Sequence, residues 1–214
     1  MKALVDNDVL LKGSCYGLLT ELLDPLPGYS HHYGILGAAR FVVPKLIERA
    51  RLRRDSAAAQ HAFQQFVAQN DVLEPTPSEQ RLAAELESSA QTLALNFDTG
   101  ESQLTAIAAL RALPCLVTGD KRAINALEKL VDAVPALRDI VGRIQCLEQC
   151  VRLLVENADA AAVCDRICAE PEVDKALSTC CSCAGGQASY ELLCECLDGY
   201  IADLRAAAPR ILAT

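Results

Sequence analysis

Three short acidic stretches each close an apolar run: Ala3-Leu4-Val5-Asp6-Asn7-Asp8, Asp98-Thr99-Gly100-Glu101 and Leu116-Val117-Thr118-Gly119-Asp120. Each falls where a strand should give way to a helix, or where a helix should begin. In a parallel α/β sheet these places share the carboxyl edge of the strands, where ligands usually bind. Carboxylates gathered there repel one another unless a hard cation such as Mg²⁺ or Mn²⁺ lies between them. A metal site built on these acids is the first expectation. Each acid also has a local alternative. Asp6, Asp8 and Asp120 could cap the following helix, and Asp98 with Glu101 has the Asp-x-x-Glu spacing of a capping box.

The elements that must position these acids follow from hydrophobic patterning. Ala3–Val5 reads as a buried strand and residues 8–23 as a helix, with breaks at Pro25, Pro27 and Gly28. A short helix is predicted over 31–39, a second strand over Arg40–Val43, and a helix beginning at Pro44. Helices are predicted over Ala57–Gln69, Glu79–Leu95 and 98–112, with an extended segment at Asp71–Pro77. Cys115–Thr118 and Gly142–Leu147 read as strands, followed by helices over about 121–132 and through Glu156. Alternating strands and helices predict an α/β domain over 1–157, a mostly parallel sheet flanked by helices. From 158 to 214 the pattern is helical and Cys-rich, predicting an extension packed on that domain.

The order of these motifs resembles the PIN domain. Asp6-Asn7-Asp8, Gly100-Glu101-Ser102-Gln103-Leu104-Thr105-Ala106-Ile107-Ala108 and Val117-Thr118-Gly119-Asp120-Lys121-Arg122-Ala123 carry the match. The family also places a Glu on the helix after its second strand, and Glu48 in Val43-Pro44-Lys45-Leu46-Ile47-Glu48 is the candidate. The resemblance spans roughly residues 1–150. It implies a metal-dependent endoribonuclease, such as the toxin halves of bacterial toxin–antitoxin pairs, with an antitoxin-like protein as a partner. It implies Asp6, Glu101 and Asp120 as catalytic carboxylates, joined by Glu48 and Asp98 as ligands of Mg²⁺ or Mn²⁺. Family members often carry a further acid beside the last one. Here Asp120 is flanked by Gly119, Lys121 and Arg122, which removes a ligand for a second metal.

Such chemistry needs no side-chain nucleophile. That suits a chain whose three histidines, His31, His32 and His61, lie outside the acidic stretches. RNA contact would fall to a local basic patch. Lys45, Arg49 and Arg53 recur every four residues and are expected on one helix face; Lys121 and Arg122 flank the last acid. The chain as a whole is acidic, with net charge −8, which disfavours general nucleic-acid binding. Residues 139–214 alone contribute −6, and this acidic tail could pair with the basic stretch instead. Aromatics make up 4% with no Trp, so base stacking would have few platforms.

Nine of the eleven cysteines follow residue 145. No secretory signal is read at the N-terminus, so a cytoplasmic protein with thiols is expected. Cys146/Cys150 and Cys164/Cys168 are spaced i, i+4, and Cys180-Cys181-Ser182-Cys183 reads as a loop with the most reactive thiols. Core packing is the favoured role, ahead of a zinc or iron–sulfur site or a redox switch. No apolar run approaches the ~18 residues that span a bilayer. The rival functional reading is a catalytically inactive binding or assembly module. Its partner or homodimer face would be Tyr190–Leu204, with Leu192, Leu193, Leu197, Tyr200, Ile201 and Leu204.

Overall fold

In the computed structural model, residues 1–26, 32–186 and 188–214 are described. The breaks expected at Pro27 and Gly28, and His31, lie outside them. Five strands form one all-parallel sheet: β1 (Ala3–Val5), β2 (Tyr33–Leu36), β3 (Asp71–Leu73), β4 (Leu116–Thr118) and β5 (Ile144–Cys146), in the order β3-β2-β1-β4-β5. Parallel neighbours need crossover connections, and helices supply them. α1 (Asn7–Tyr16) and α2 (Leu19–Leu23) follow β1; α3 (Ala39–Arg49) and α4 (Ser56–Gln69) follow β2. α5 (Pro77–Thr92) and α6 (Thr99–Leu110) follow β3, and α7 (Lys121–Ala133) with a 3-10 helix (Pro135–Ile140) follows β4. α8 (Leu147–Asn157) leads from β5 to α9 (Ala160–Ala169), α10 (Lys175–Cys180) and α11 (Tyr190–Ala207).

Side chains alternate across each strand, so the sheet buries one apolar cluster on each face. Ala3, Val5, Tyr33, Ile35 and Val117 point into one, packed against α1–α4 and α8–α11. Leu4, Leu36, Leu116 and Ile144 point into the other, packed against α5–α7 and the 3-10 helix. No described helix is long and apolar enough to cross a membrane.

Four expectations need correction. The helix expected over 8–23 is two helices, because Gly17 adopts φ 62° and its N–H closes α1 on Gly13 and Ser14. The second strand is Tyr33–Leu36, inside the segment expected as a helix, and Arg40–Val43 is helical within α3. Arg-Phe-Val-Val has local strand character, but as a helix it buries Val43 with Ile47 while leaving Phe41 68% and Val42 39% exposed. Pro44 sits inside α3, not at its start. The C-terminal segment is not purely helical either, since Leu212 bridges to Ile144 alongside β5.

The cysteines also depart from the all-thiol expectation. Cys168 pairs with Cys183 and Cys180 with Cys196 as disulfides. Cys181 contacts Cys164, so all three cysteines of the Cys180–Cys183 turn reach out to α9 or α11. Contact with Cys164, then burial, pushes the Cys181 thiol well up. Burial likewise pushes Cys115 and Cys146 up to about 12. These thiols are packing groups, and the turn expected to be most reactive is tied or buried. No group of three or more His, Cys, Asp or Glu is set to hold a metal ion among the described residues. The predicted partner face on α11 is largely spent inside the molecule: Leu193, Leu197 and Leu204 are buried, while Tyr190 and Leu192 remain exposed.

The two disulfides close loops of sequence separation 15 and 16, a size at which a cross-link stabilises by about 3 kcal/mol through the unfolded chain. Thermal unfolding followed by circular dichroism, with and without reductant, should show a clearly lower midpoint on reduction. Cys183→Ala with Cys196→Ala should reproduce that drop and abolish the effect of reductant.

Candidate functional site

The strand order reverses between β1 and β4, and the chain leaves these two neighbours toward opposite sides of the sheet. Such a switch point opens a crevice at the carboxyl edge. Here it is a cleft of about 960 Å³ lined by Asp6, Asp8, Lys12, Asp98, Glu101, Asp120 and Arg122, among others. Asp6 ends β1 and is buried. Its Oδ1 accepts from Asn7 N at 2.6 Å, capping α1, and its Oδ2 accepts from the Thr118 hydroxyl at 2.9 Å. Thr118 ends β4 and also receives Asp120 N at 3.1 Å. One buried hydroxyl thus joins the ends of both central strands.

Asp98 and Glu101 open α6 as a capping box: Asp98 Oδ1 accepts from Glu101 N at 2.9 Å, and Glu101 Oε2 accepts from Asp98 N at 2.7 Å. The local role is therefore real, and it also fixes Glu101 at the cleft. Asp120 caps α7. Its Oδ1 takes Arg122 N and Ala123 N, while the Arg122 guanidinium donates to Oδ1 at 3.2 Å and Oδ2 at 2.6 Å. Asp8 pairs with Lys12 at 2.6 Å, one helical turn on. A Cβ at Gly119 would collide with the Asp8 carboxylate, so glycine is needed for this close approach.

The electrostatics follow from this crowding. Burial, then the nearby charges of Asp8 and Asp98, raise Asp6 to about 6 against the stabilising bonds from Thr118 and Asn7. Burial, then the charges of Asp98, Asp120 and Asp6, raise Glu101 to about 8 despite the Asp98 N–H. Burial also opposes ionisation of Asp120, but the Arg122 and Ala123 hydrogen bonds outweigh it and lower its pKa. Asp8 is raised by burial, offset in part by Lys12.

Asp6, Asp98, Glu101 and Asp120 are therefore brought together, as their spacing in the sequence predicts. Glu48 is not: it is exposed and absent from the cleft lining, where α3 presents Val42 and Leu46. At ~100° per residue Glu48 is rotated by about 120° from Val42. Lys45 and Arg49 are exposed and lie within about 60° of Val42 on the helical wheel. Arg53 does not share their face, because α3 ends at Arg49 and Arg51 takes φ 48°. The backbone N–H groups of Arg53 and Arg54 instead bind buried Glu170 at 2.7 Å each. Lys121 is committed elsewhere, 2.6 Å from buried Glu148 and over the Tyr200 ring. Arg122 lines the cleft.

Sequence reasoning missed Thr118, Lys12 and Asp174. The i, i+4 spacing of Asp8 and Lys12 was a usable signal; nothing local connects Lys12 to Asp174, which it meets at 2.7 Å. No family model matches the sequence, and no curated protein or solved structure shows significant similarity to it.

Both raised carboxyls hold protons more tightly in the folded protein than in the unfolded chain. Their contribution to stability is complete below the unfolded carboxyl range, near ~4, and is lost as pH rises through about 6 and about 8. A bound cation must displace the same protons, so Mn²⁺ affinity should climb from pH 6 to 8 in calorimetric titrations. Glu101→Gln should flatten the upper half of that rise. Affinity independent of pH would contradict the raised values of Asp6 and Glu101.

Proposed function

We propose that this protein is a PIN-like metal-dependent endoribonuclease, which hydrolyses RNA phosphodiester bonds in the cleft between β1 and β4. The observation that supports it is the convergence of four carboxylates from three distant stretches at the switch point of a parallel sheet. The donor set is wholly hard oxygen, suited to Mg²⁺ or Mn²⁺. Burial first, and the charges of the neighbouring carboxylates second, raise Asp6 and Glu101, and a divalent cation between them would favour their charged forms.

In this reading Asp6, Glu101 and Asp120 would hold the ion, with Asp98 at the rim. A divalent cation held there would supply charge neutralisation for in-line attack of water on the phosphorus. Thr118 keeps the Asp6 carboxylate in one orientation, and the Asp98 N–H does the same for Glu101. Arg122 neutralises Asp120 until it is exchanged. Its side chain is 73% exposed, so it can swing out at little cost. Lys45 and Arg49 on α3 would take the flanking phosphates.

A binding or assembly module is the second reading. It is favoured by the two-pronged hold of Arg122 on Asp120 and by the apolar surface of α3, where Phe41 is exposed and Val42, also exposed, lines the cleft. Cleavage of a labelled single-stranded RNA in Mn²⁺ separates the two. The nuclease reading predicts cutting by the wild type, abolished by Asp6→Asn and by Asp120→Asn, and unaffected by Glu48→Gln. Absence of cutting, or cutting that survives both substitutions, would favour the binding module.

A further inference from the structure

Lys12 is placed unlike any other cation of the cleft. Lysine normally keeps its ammonium in water and buries only its stem. The Lys12 side chain is 13% exposed, and its Nζ lies 2.6 Å from Asp8 Oδ2 and 2.7 Å from Asp174 Oδ2. Asp174 is itself 12% exposed and caps α10, in the Cys-rich C-terminal segment, with Oδ1 accepting from Leu177 N at 2.9 Å. Two carboxylates from distant parts of the chain thus hold one ammonium in place. Burial disfavours the charged ammonium, but these two partners outweigh it and raise its pKa.

Four cations could meet a phosphate entering here, and their situations differ. Arg122 is exposed and bound to Asp120. Lys45 and Arg49 lie outside the lining. Lys12 is inside it, beside Gly119 at the end of β4, and its ammonium is ion-paired with both Asp8 and Asp174. We infer that Lys12 is the fixed phosphate-contacting cation of the cleft and that Asp174 is its positioning residue, so the C-terminal segment forms part of the site. This rests on the reading of the cleft as an RNA site. The ligand class is a phosphodiester of single-stranded RNA. A plain structural pin between α1 and α10 would use the same two ion pairs but would leave RNA binding untouched.

The test compares wild type, Lys12→Met, Lys12→Arg and Asp174→Asn in the full chain. A short single-stranded RNA is titrated at several salt concentrations, with Ca²⁺ in place of Mn²⁺, and cleavage is measured separately in Mn²⁺. Lys12→Met should weaken RNA binding roughly tenfold, the weight of one charge-assisted hydrogen bond. It should also reduce the salt slope by about 0.7, one phosphate contact on a single strand. Lys12→Arg should restore the slope. Asp174→Asn should weaken binding by less and keep the slope, because the charge remains but is no longer held. The pattern in Lys12→Arg and Asp174→Asn stays informative even if Lys12→Met folds poorly. Cutting by the wild type, with RNA affinity and salt slope unchanged in every variant, would overturn the inference and leave the nuclease reading intact. A wild type that neither binds nor cuts RNA would overturn both.

Discussion

The hydrogen bond from the Thr118 hydroxyl to Asp6 Oδ2 is the contact on which the cleft depends. It joins residues 112 apart in sequence where β1 and β4, neighbours in the sheet, send their chains in opposite directions. Backbone pairing fixes how far each strand reaches; Asp6 N bonds to Val117 O at 3.0 Å. The side-chain bond then fixes which way the first carboxylate faces. Because Thr118 also accepts Asp120 N, the first and last acidic stretches are oriented through one buried oxygen. Loss of that oxygen would leave Asp6 with its Asn7 bond alone, in surroundings that already disfavour its charge.

Charge balance is the second constraint. An acidic chain has gathered carboxylates at one edge of its sheet, and it tolerates them by three means. Asp6 and Glu101 are pushed toward the protonated form, Asp120 is matched by Arg122, and Asp8 is matched by Lys12. Capping does not withdraw these acids from the cleft. Asp6, Asp98 and Asp120 each cap a helix, and the same bonds point their carboxylates at the cleft. The C-terminal segment enters the balance through Asp174, while the disulfides Cys168–Cys183 and Cys180–Cys196 tie together the helices that carry it.

Much of this was legible from residue types and spacing. Short apolar runs ending in acids identify β1 and β4, and the Asp-x-x-Glu spacing identifies the start of α6 with its capping box. The parallel sheet follows from alternation. β2 was missed because Tyr33-Gly34-Ile35-Leu36 is brief and carries a glycine, whose place in the strand is set by the close packing of Met1 against it. The neighbouring Arg40–Val43 has stronger strand character but is drawn into α3 by burial of Val43 and Ile47. That shift of register also explains Glu48, whose position on α3 turns it away from the cleft. The Lys12–Asp174 pair joins distant segments, and the disulfides depend on how α9, α10 and α11 pack together; no periodicity encodes either.

The most direct measurement is the anomalous scattering of Mn²⁺ in crystals of the protein grown or soaked at pH 8. The account predicts one strong peak between Asp6, Glu101 and Asp120, with the Arg122 guanidinium moved off Asp120. A cleft without manganese at saturating concentration, its Arg122–Asp120 pair intact, would contradict it.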